Sequence, residues 1–136
     1  MGPDSTMTTL STLKVLDIPK LAEDGGNWGS YKERVLNHLT SKGLARHIRG
    51  TAQQPVGIVK MDGKFYRSDA DLSASDRKAL TSEEIETIEG DLDTWEIKQA
   101  QAREIIYATV SKTTYGQIKS CVTVNELWEK LSSIHE

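Results

Sequence analysis

Residue types that carry out catalysis or bind metals are few in this chain and widely spaced. The three histidines, His38, His47 and His135, form neither an HExxH motif nor a pair at helical spacing. A zinc site on a helix requires such a pair, so the histidines are expected to be surface or hydrogen-bonded structural residues. Cys121 is the single cysteine, which excludes an internal disulfide and a cysteine zinc cluster. No base lies near it in the sequence to activate its thiol.

Paired carboxylates and glycines also favour structural roles. Glu83 and Glu84, like Asp91 and Asp93, lie in the first half of a predicted helix, where negative charge compensates the helix dipole. A general acid would instead need burial to raise its pKa. No Gly-Lys-Ser/Thr sequence follows any glycine that could begin a phosphate loop. The sequence therefore predicts no catalytic residue, no metal site and no cofactor, and the protein is not expected to be an enzyme.

The charge balance argues against a broad nucleic-acid interface. The net charge is −3, whereas binding to nucleic acids depends on neutralising many phosphates. One small basic cluster, Lys42, Arg46 and Arg49 together with His47, follows the first predicted helix. We favour a solvated surface for this cluster, with weak contact to an anionic partner as the alternative.

The sequence of the first third of the chain predicts a leader, an extended arm and a helix. Residues 1–12 are small and polar without periodicity and are expected to be a flexible leader. Pro19 disfavours a helix through the apolar residues of 13–21, so an extended arm is predicted there. Asn27 is a suitable N-cap for a helix over about residues 27–41. Gly43 interrupts this helix, and a further turn over residues 44–48 ends near Gly50.

The middle of the chain, residues 50–80, is a long connection with one turn signal. Asp62-Gly63 lies between two short apolar runs, Ile58–Met61 and Lys64–Tyr66, which predicts a β-hairpin with a type I′ turn. An isolated hairpin is marginally stable in water, so it must pack on the helices or remain mobile.

Three helical segments are predicted after the hairpin. Apolar residues at spacings of three and four predict a long helix over about residues 82–111, with Gln99 at one position expected to be apolar. Thr81 and Glu84 form a capping box at its start. A break is expected at residues 112–114, followed by a short helical stretch with Tyr115 and Ile118. Thr123 and Glu126 form a second capping box, and the helix after it should bury Leu127, Trp128, Leu131 and Ile134.

These elements predict an all-α fold, a small bundle of about five helices with a short hairpin in its long connection. At 136 residues, one domain over residues 13–136 is expected. No run reaches the roughly 18–20 apolar residues of a membrane span, and no signal peptide is evident, so we expect a cytoplasmic protein without a membrane partner. The predicted core residues are Trp28, Leu36, Leu92, Trp95, Ile106, Trp128 and Leu131.

The order of several short motifs is familiar. Gly26-Asn27-Trp28 and Tyr31-Lys32 open a helix, and then come Leu39, Gly43-Leu44 and Ile48-Arg49-Gly50. Further on lie Trp95, Ala102, Ile105-Ile106 and the closing Val124-Asn125-Glu126-Leu127-Trp128-Glu129-Lys130-Leu131. Over about residues 21–136 the series resembles the Gag polypeptide of copia-type LTR retrotransposons, particularly in fungal versions.

The resemblance implies a capsid-type helical domain, the N-terminal part of a longer Gag, that binds copies of itself to form a virus-like particle. Many relatives place tyrosine after the asparagine and tryptophan three residues later, whereas this chain has Trp28 first and Tyr31 second. The zinc knuckle that often follows such a domain is absent from the sequence. RNA binding is therefore expected only through a region outside this chain.

Two other hypotheses remain at this point. The chain could be a domesticated, monomeric adaptor that binds an unrelated protein through the Asp62-Gly63 hairpin or the arm over residues 13–21. It could also bind nucleic acid through Lys42, Arg46 and Arg49, which the acidic balance disfavours.

Overall fold

The structure is a computed structural model that describes residues 18–136. Within these residues the chain forms five helices and one antiparallel hairpin, which confirms the predicted mostly helical fold. The helices are α1 (Trp28–Ser41), α2 (Ala45–Arg49), α3 (Ser82–Tyr107), α4 (Lys112–Ile118) and α5 (Val124–His135), and the strands are β1 (Ile58–Met61) and β2 (Lys64–Arg67). The predicted leader and most of the predicted arm lie outside the described residues. Ile18 and Leu21, at the end of the arm, are buried.

Packing divides the described chain into two compact units. The helical unit comprises residues 18–51 and 99–136, and the inserted unit comprises residues 52–98. In sequence, the inserted unit separates the two halves of the helical unit, and α3 runs from one unit into the other. A single domain over residues 13–136 was expected, and the insertion was not evident from the sequence.

The core of the helical unit draws residues from every one of its helices. α1 buries Trp28, Tyr31, Val35 and Leu39, which recur at the spacing of one helical face. Of the predicted core residues, Trp28, Ile106, Trp128 and Leu131 are buried in this cluster, and the half-buried Leu36 packs against it. The other members are Ile18, Leu21, Tyr31, Val35, Leu39, Leu44, Ile48, Ala102, Ile105, Val110, Ile118, Val124 and Leu127.

Leu92 and Trp95 were wrongly predicted to belong to this core. Both are half-buried in the inserted unit, where the Trp95 indole N–H donates a hydrogen bond to the Ala52 carbonyl at 2.9 Å. The inserted unit is small, and a small unit encloses less of each apolar side chain. Helical periodicity identifies the apolar side of α3. It does not show that the first part of this side packs in the inserted unit and the second part in the core of the helical unit.

Local signals placed most helix ends correctly, with three corrections. Asn27 does not cap α1 with its side chain; its amide accepts from Ala22 N–H and donates to the Lys20 carbonyl, both at 2.8 Å, and so ties down the preceding loop. α3 ends at Tyr107, four residues before the predicted end, because the Thr109 hydroxyl bonds to the carbonyls of Ile105 and Ile106. The predicted break at 112–114 is instead the first turn of α4, which Ser111 caps.

Both predicted capping boxes form, one of them incompletely. At α3 the Thr81 hydroxyl accepts from Glu84 N–H at 3.1 Å, and the Glu84 carboxylate accepts from Thr81 N–H at 3.0 Å. At α5 the Thr123 hydroxyl accepts from Glu126 N–H, but the Glu126 carboxylate bonds to the amide of Val122. Ile134, predicted to be buried in α5, is 41% exposed because it lies in the last turn of the helix.

The hairpin forms where Asp62-Gly63 predicts it. The strands pair in the register Ile58 with Arg67 and Met61 with Lys64. Asp62 and Gly63 both have positive φ, 52° and 76°, as a type I′ turn requires. Tyr66 is buried, and Leu80 N–H donates to the Phe65 carbonyl at 2.7 Å, so the hairpin packs within the inserted unit.

Gln99, the polar residue at an expected apolar position, connects three helices of the helical unit. Its side-chain carbonyl accepts from Val124 N–H at 2.9 Å, at the start of α5. Its amide nitrogen lies 3.0 Å from His47 Nδ1 in α2. Because Val124 can only donate, the amide nitrogen of Gln99 must face His47 and donate to it. All three groups are buried, so each satisfies a polar atom that water cannot reach.

We therefore expect Gln99→Leu to lower the free energy of unfolding of the helical unit by about 1–3 kcal/mol, because it leaves Val124 N–H buried without an acceptor. Gln101→Leu is the matched control, because Gln101 is exposed on the same helix and the change should fall within about 0.5 kcal/mol. Urea denaturation followed by circular dichroism measures both. Equal stability of the two variants would show that the bridge contributes nothing.

Tyr31 is expected to make the helical unit less stable at alkaline pH. Its ring is fully buried, and its hydroxyl lies 2.8 Å from Thr109 Oγ1. Burial raises the pKa of Tyr31 from 10.0 to about 12, an effect that the Thr109 hydrogen bond partly offsets. A raised pKa in the folded state means that stability is complete below about pH 10 and is lost as the pH rises toward 12.

We expect this loss to be about 2–3 kcal/mol of unfolding free energy between pH 10 and 12. Tyr31→Phe should show a correspondingly smaller decline over the same range. The comparison requires denaturation curves of both proteins at several alkaline pH values. Parallel declines in the two proteins would contradict the assignment to Tyr31.

Candidate interaction surface

The sequence-predicted reactive residues lie apart and in structural surroundings. His47 is buried against Gln99, and the His135 ring stacks on Trp28 with centroids 5.5 Å apart. Burial, aided by the positive charge of Lys42, lowers the pKa of His38. Cys121 is half-buried and packs against the core. Across residues 18–136, no three His, Cys, Asp or Glu side chains group closely enough to hold a metal ion.

The predicted anion contact is exposed but carries no apolar surface. Lys42, Arg46 and Arg49 are all exposed, and Arg46 donates to the Thr51 carbonyl at 3.1 Å. The apolar residues among them, Leu44 and Ile48, are buried. This cluster can therefore attract an anion by charge, but it offers no apolar area for a stable contact.

The helical unit also exposes two large apolar side chains in the stretch of chain that follows α3. Val122 is 75% exposed and Tyr115 is 40% exposed. The Tyr115 ring meets the half-buried Tyr107 ring edge-on, with centroids 4.8 Å apart. Burial raises the pKa of Tyr107, and Arg103, Tyr115 and Cys121 are among the groups close enough to influence it. We call Tyr107, Tyr115 and Val122 the tyrosine–valine surface.

Two hydrogen bonds hold the backbone of Val122 in place. Arg103 on α3 donates to the Val122 carbonyl at 3.0 Å, and the Val122 amide donates to Glu126 Oε2 at 3.3 Å. The exposed side chain therefore projects from a turn that is fixed on both sides. A partner that binds it has less loop entropy to remove, which favours binding.

Three cations accompany the tyrosine–valine surface. Lys112, Tyr115 and Lys119 recur at spacings of three and four in and just after α4, so they share its exposed face, while Thr114 and Ile118 face the core. Arg103 is the third cation. No salt bridge within residues 18–136 engages Arg103, Lys112 or Lys119. Two carboxylates lie beside these groups, Glu126, which accepts from Val122 N–H, and Glu104, which is close to Tyr107, so the surface combines aromatic and apolar groups with a small excess of positive charge. Tyrosine and arginine are enriched at protein interfaces.

This surface was not found from the sequence. Tyr107 lies near the end of a long predicted helix, and Tyr115 lies in a short predicted helical stretch. Neither pattern indicates an exposed aromatic side chain. Val122 lies in a turn, where one apolar residue is an ordinary feature. The one available signal was the Lys112-Tyr115-Lys119 spacing, which places an aromatic ring between two cations on one helical face.

Comparison with known proteins assigns no family to this chain. No protein-family model, no curated protein and no solved structure matches it. None of the helices formed by residues 18–136 combines the length and the apolar character needed to cross a membrane.

We expect Arg103→Gln to loosen the turn that carries Val122, because the Val122 carbonyl loses its charged donor. Amide hydrogen exchange of residues 119–124 should accelerate several-fold, since a hydrogen bond of this kind contributes about 1 kcal/mol. Lys112→Gln removes a cation of the same surface that makes no such bond, so it should leave the exchange unchanged. Equal exchange in the two variants would contradict the role given to Arg103.

Proposed function

We propose that this protein is a non-enzymatic assembly domain that binds copies of itself through the tyrosine–valine surface. The observation that carries the proposal is the exposure of Val122 and Tyr115 in the helical unit, with Val122 on a turn that Arg103, one helical turn before Tyr107, and Glu126 hold in place. A single exposed aliphatic residue is ordinary, but one held in a fixed turn that follows the aromatic and cationic face of α4 is a suitable contact for a partner.

The capsid-type Gag domain of copia-type retrotransposons is the family we propose, on the strength of the motif order alone. The small helical unit and its exposed surface agree with such a role. Under this proposal many copies assemble into a virus-like particle in the cytoplasm. Each contact can be weak, because a symmetric assembly repeats it and multivalency compounds the repeated contacts. Assembly would then depend steeply on concentration.

The alternative function is that of a monomeric, domesticated adaptor. One observation favours it: Phe65, on the hairpin of the inserted unit, is 40% exposed, and Lys60 lies 5.7 Å from its ring centroid. An exposed aromatic ring on a hairpin is a suitable contact for an unrelated protein. The two functions differ in which exposed ring matters, Tyr115 or Phe65.

The test is to replace each exposed apolar site with serine and to measure self-association by sedimentation equilibrium. Tyr115→Ser/Val122→Ser should weaken the association constant at least about tenfold, since two contacts of about 1 kcal/mol or more are lost. Phe65→Ser is the matched control and should associate like the unchanged protein. Circular dichroism should show all three proteins equally helical, because each replaced side chain is at least 40% exposed.

Two results would contradict the proposal. One is equal association of the double variant and the unchanged protein. The other is a monomer at every concentration, and if such a monomer bound another protein in a Phe65-dependent manner, the adaptor function would replace self-assembly.

A further inference from the structure

The chemistry of the tyrosine–valine surface specifies what can cover it. Its apolar side chains favour apolar contacts, and its three cations, Arg103, Lys112 and Lys119, outnumber the two neighbouring carboxylates, Glu104 and Glu126. No salt bridge within residues 18–136 engages these cations, so they favour negative charge in a partner. A partner surface that is both apolar and anionic therefore suits this surface best.

The inserted unit has a groove with this composition. Two half-buried aliphatic side chains, Ile58 and Leu92, line it together with three carboxylates, Glu89, Asp93 and Glu96. No salt bridge within residues 18–136 neutralises the three carboxylates. On the same helix Ile97 is 57% exposed, which adds apolar area close by in sequence.

Local helix energetics do not account for these carboxylates. Glu83 and Glu84 lie in the first turn of α3, where the helix dipole stabilises them. Glu89, Asp93 and Glu96 lie beyond the first turn, where the dipole has little effect, so the dipole role expected for Asp93 does not apply. They follow one another at spacings of four and three, and like charges at this spacing destabilise a helix. A cationic partner would remove that repulsion.

The other groove of the inserted unit offers a contrast. Arg67, Leu80, Glu83, Glu84, Thr87 and Ile88 line it. Its Arg67 is paired with Asp69, and its Glu84 carboxylate accepts a hydrogen bond from the Thr81 amide, which lowers the pKa of Glu84. One of its two carboxylates thus already has a role within the chain.

We propose that the groove formed by Ile58, Glu89, Leu92, Asp93 and Glu96 of one copy receives the tyrosine–valine surface of a second copy. This inference rests on the proposed self-association and adds the surface that meets Val122. Charge complementarity selects a second copy as the occupant, because the unpaired cations and the unpaired carboxylates belong to the same chain. Lys42, Arg46 and Arg49 match the groove less well, since the apolar residues between them are buried.

The contact is heterologous, because its two halves share no residue. Each copy that joins leaves one groove and one tyrosine–valine surface unused at the ends of the assembly. Contacts of this kind close into rings or extend into open chains, whereas a two-fold contact stops at a dimer. One pair of surfaces is thus sufficient for continued assembly.

The experiment neutralises each half separately and then mixes the halves. Glu89→Gln/Asp93→Asn alters the groove, and Lys112→Gln/Lys119→Gln alters the facing surface. Their controls, Glu86→Gln/Asp91→Asn and Lys20→Gln/Lys130→Gln, make equal charge changes at exposed positions outside both surfaces. Light scattering gives the mass of each protein and of the equimolar mixture of the two altered proteins. Circular dichroism verifies that all remain folded.

We expect each altered protein to associate about tenfold more weakly than the unchanged one, and its control to stay within about twofold. The mixture should recover association but stop at the dimer, because only one intact groove and one intact surface can meet. High salt should weaken association of the unchanged protein.

If the unchanged protein associates and the groove variant does so equally well, the inference is overturned while the proposed function stands. A mixture that fails to associate also overturns it. A monomeric unchanged protein overturns both. The inference is likewise overturned if a single-stranded RNA oligonucleotide binds the unchanged protein but not Lys112→Gln/Lys119→Gln, and the protein mass does not grow, because the surface then serves a nucleic acid.

Discussion

The helical unit depends on one buried amide, the side chain of Gln99. It joins the start of α5 to His47 in α2 and belongs itself to α3, so it sets the register of three helices against one another. Arg103 and Tyr107 follow Gln99 at intervals of four residues. Each interval turns about 40° around the helix, so this stripe passes from the buried bridge to the surface. The position at which Arg103 reaches the Val122 carbonyl is therefore set by packing inside the unit.

The packing around Tyr31 is the next most important feature of the helical unit, after the Gln99 bridge. The ring of Tyr31 lies within 5.9 Å of Trp28 and 6.5 Å of Trp128, measured between centroids. Thr109 accepts from both Leu21 N–H and the Tyr31 hydroxyl, and its own hydroxyl can donate to the Ile105 carbonyl. The same residue thus ends α3, places the chain before α1 and satisfies the one polar atom of a buried ring. The turn to α4, and with it Tyr115, follows from this arrangement.

Sequence reasoning succeeded where structure depends on neighbours along the chain. The capping box at Thr81, the type I′ turn at Asp62-Gly63 and the buried face of α1 are local patterns, and the structure has all three. It failed where a side chain takes a partner other than the one that its local pattern suggests. Asn27 was expected to cap a helix but bonds to Lys20 and Ala22, and Trp95 was expected in the main core but packs in the inserted unit. The three residues of the tyrosine–valine surface lie within residues 107–122, but they belong to α3, α4 and a turn, so no single periodic pattern joins them.

The basic cluster predicted from the sequence and the tyrosine–valine surface differ in whether their apolar side chains are exposed. Lys42, Arg46 and Arg49 are near one another in sequence, but the side chains between them that could bind an apolar partner are buried. Val122 and Tyr115 expose apolar area, and Lys112 and Lys119 share the helical face of Tyr115. Charge complementarity governs the choice of partner and the rate of encounter, while apolar burial provides most of the affinity.

The central claim is that the tyrosine–valine surface is where copies of this protein meet. Backbone ¹⁵N NMR spectra recorded over a wide range of protein concentration test it most directly. The account predicts that shifts and line widths change with concentration at Arg103, Tyr107, Tyr115 and Val122, and that residues of the buried core stay constant. Spectra that do not change with concentration, or changes centred on the Phe65 hairpin, would contradict it.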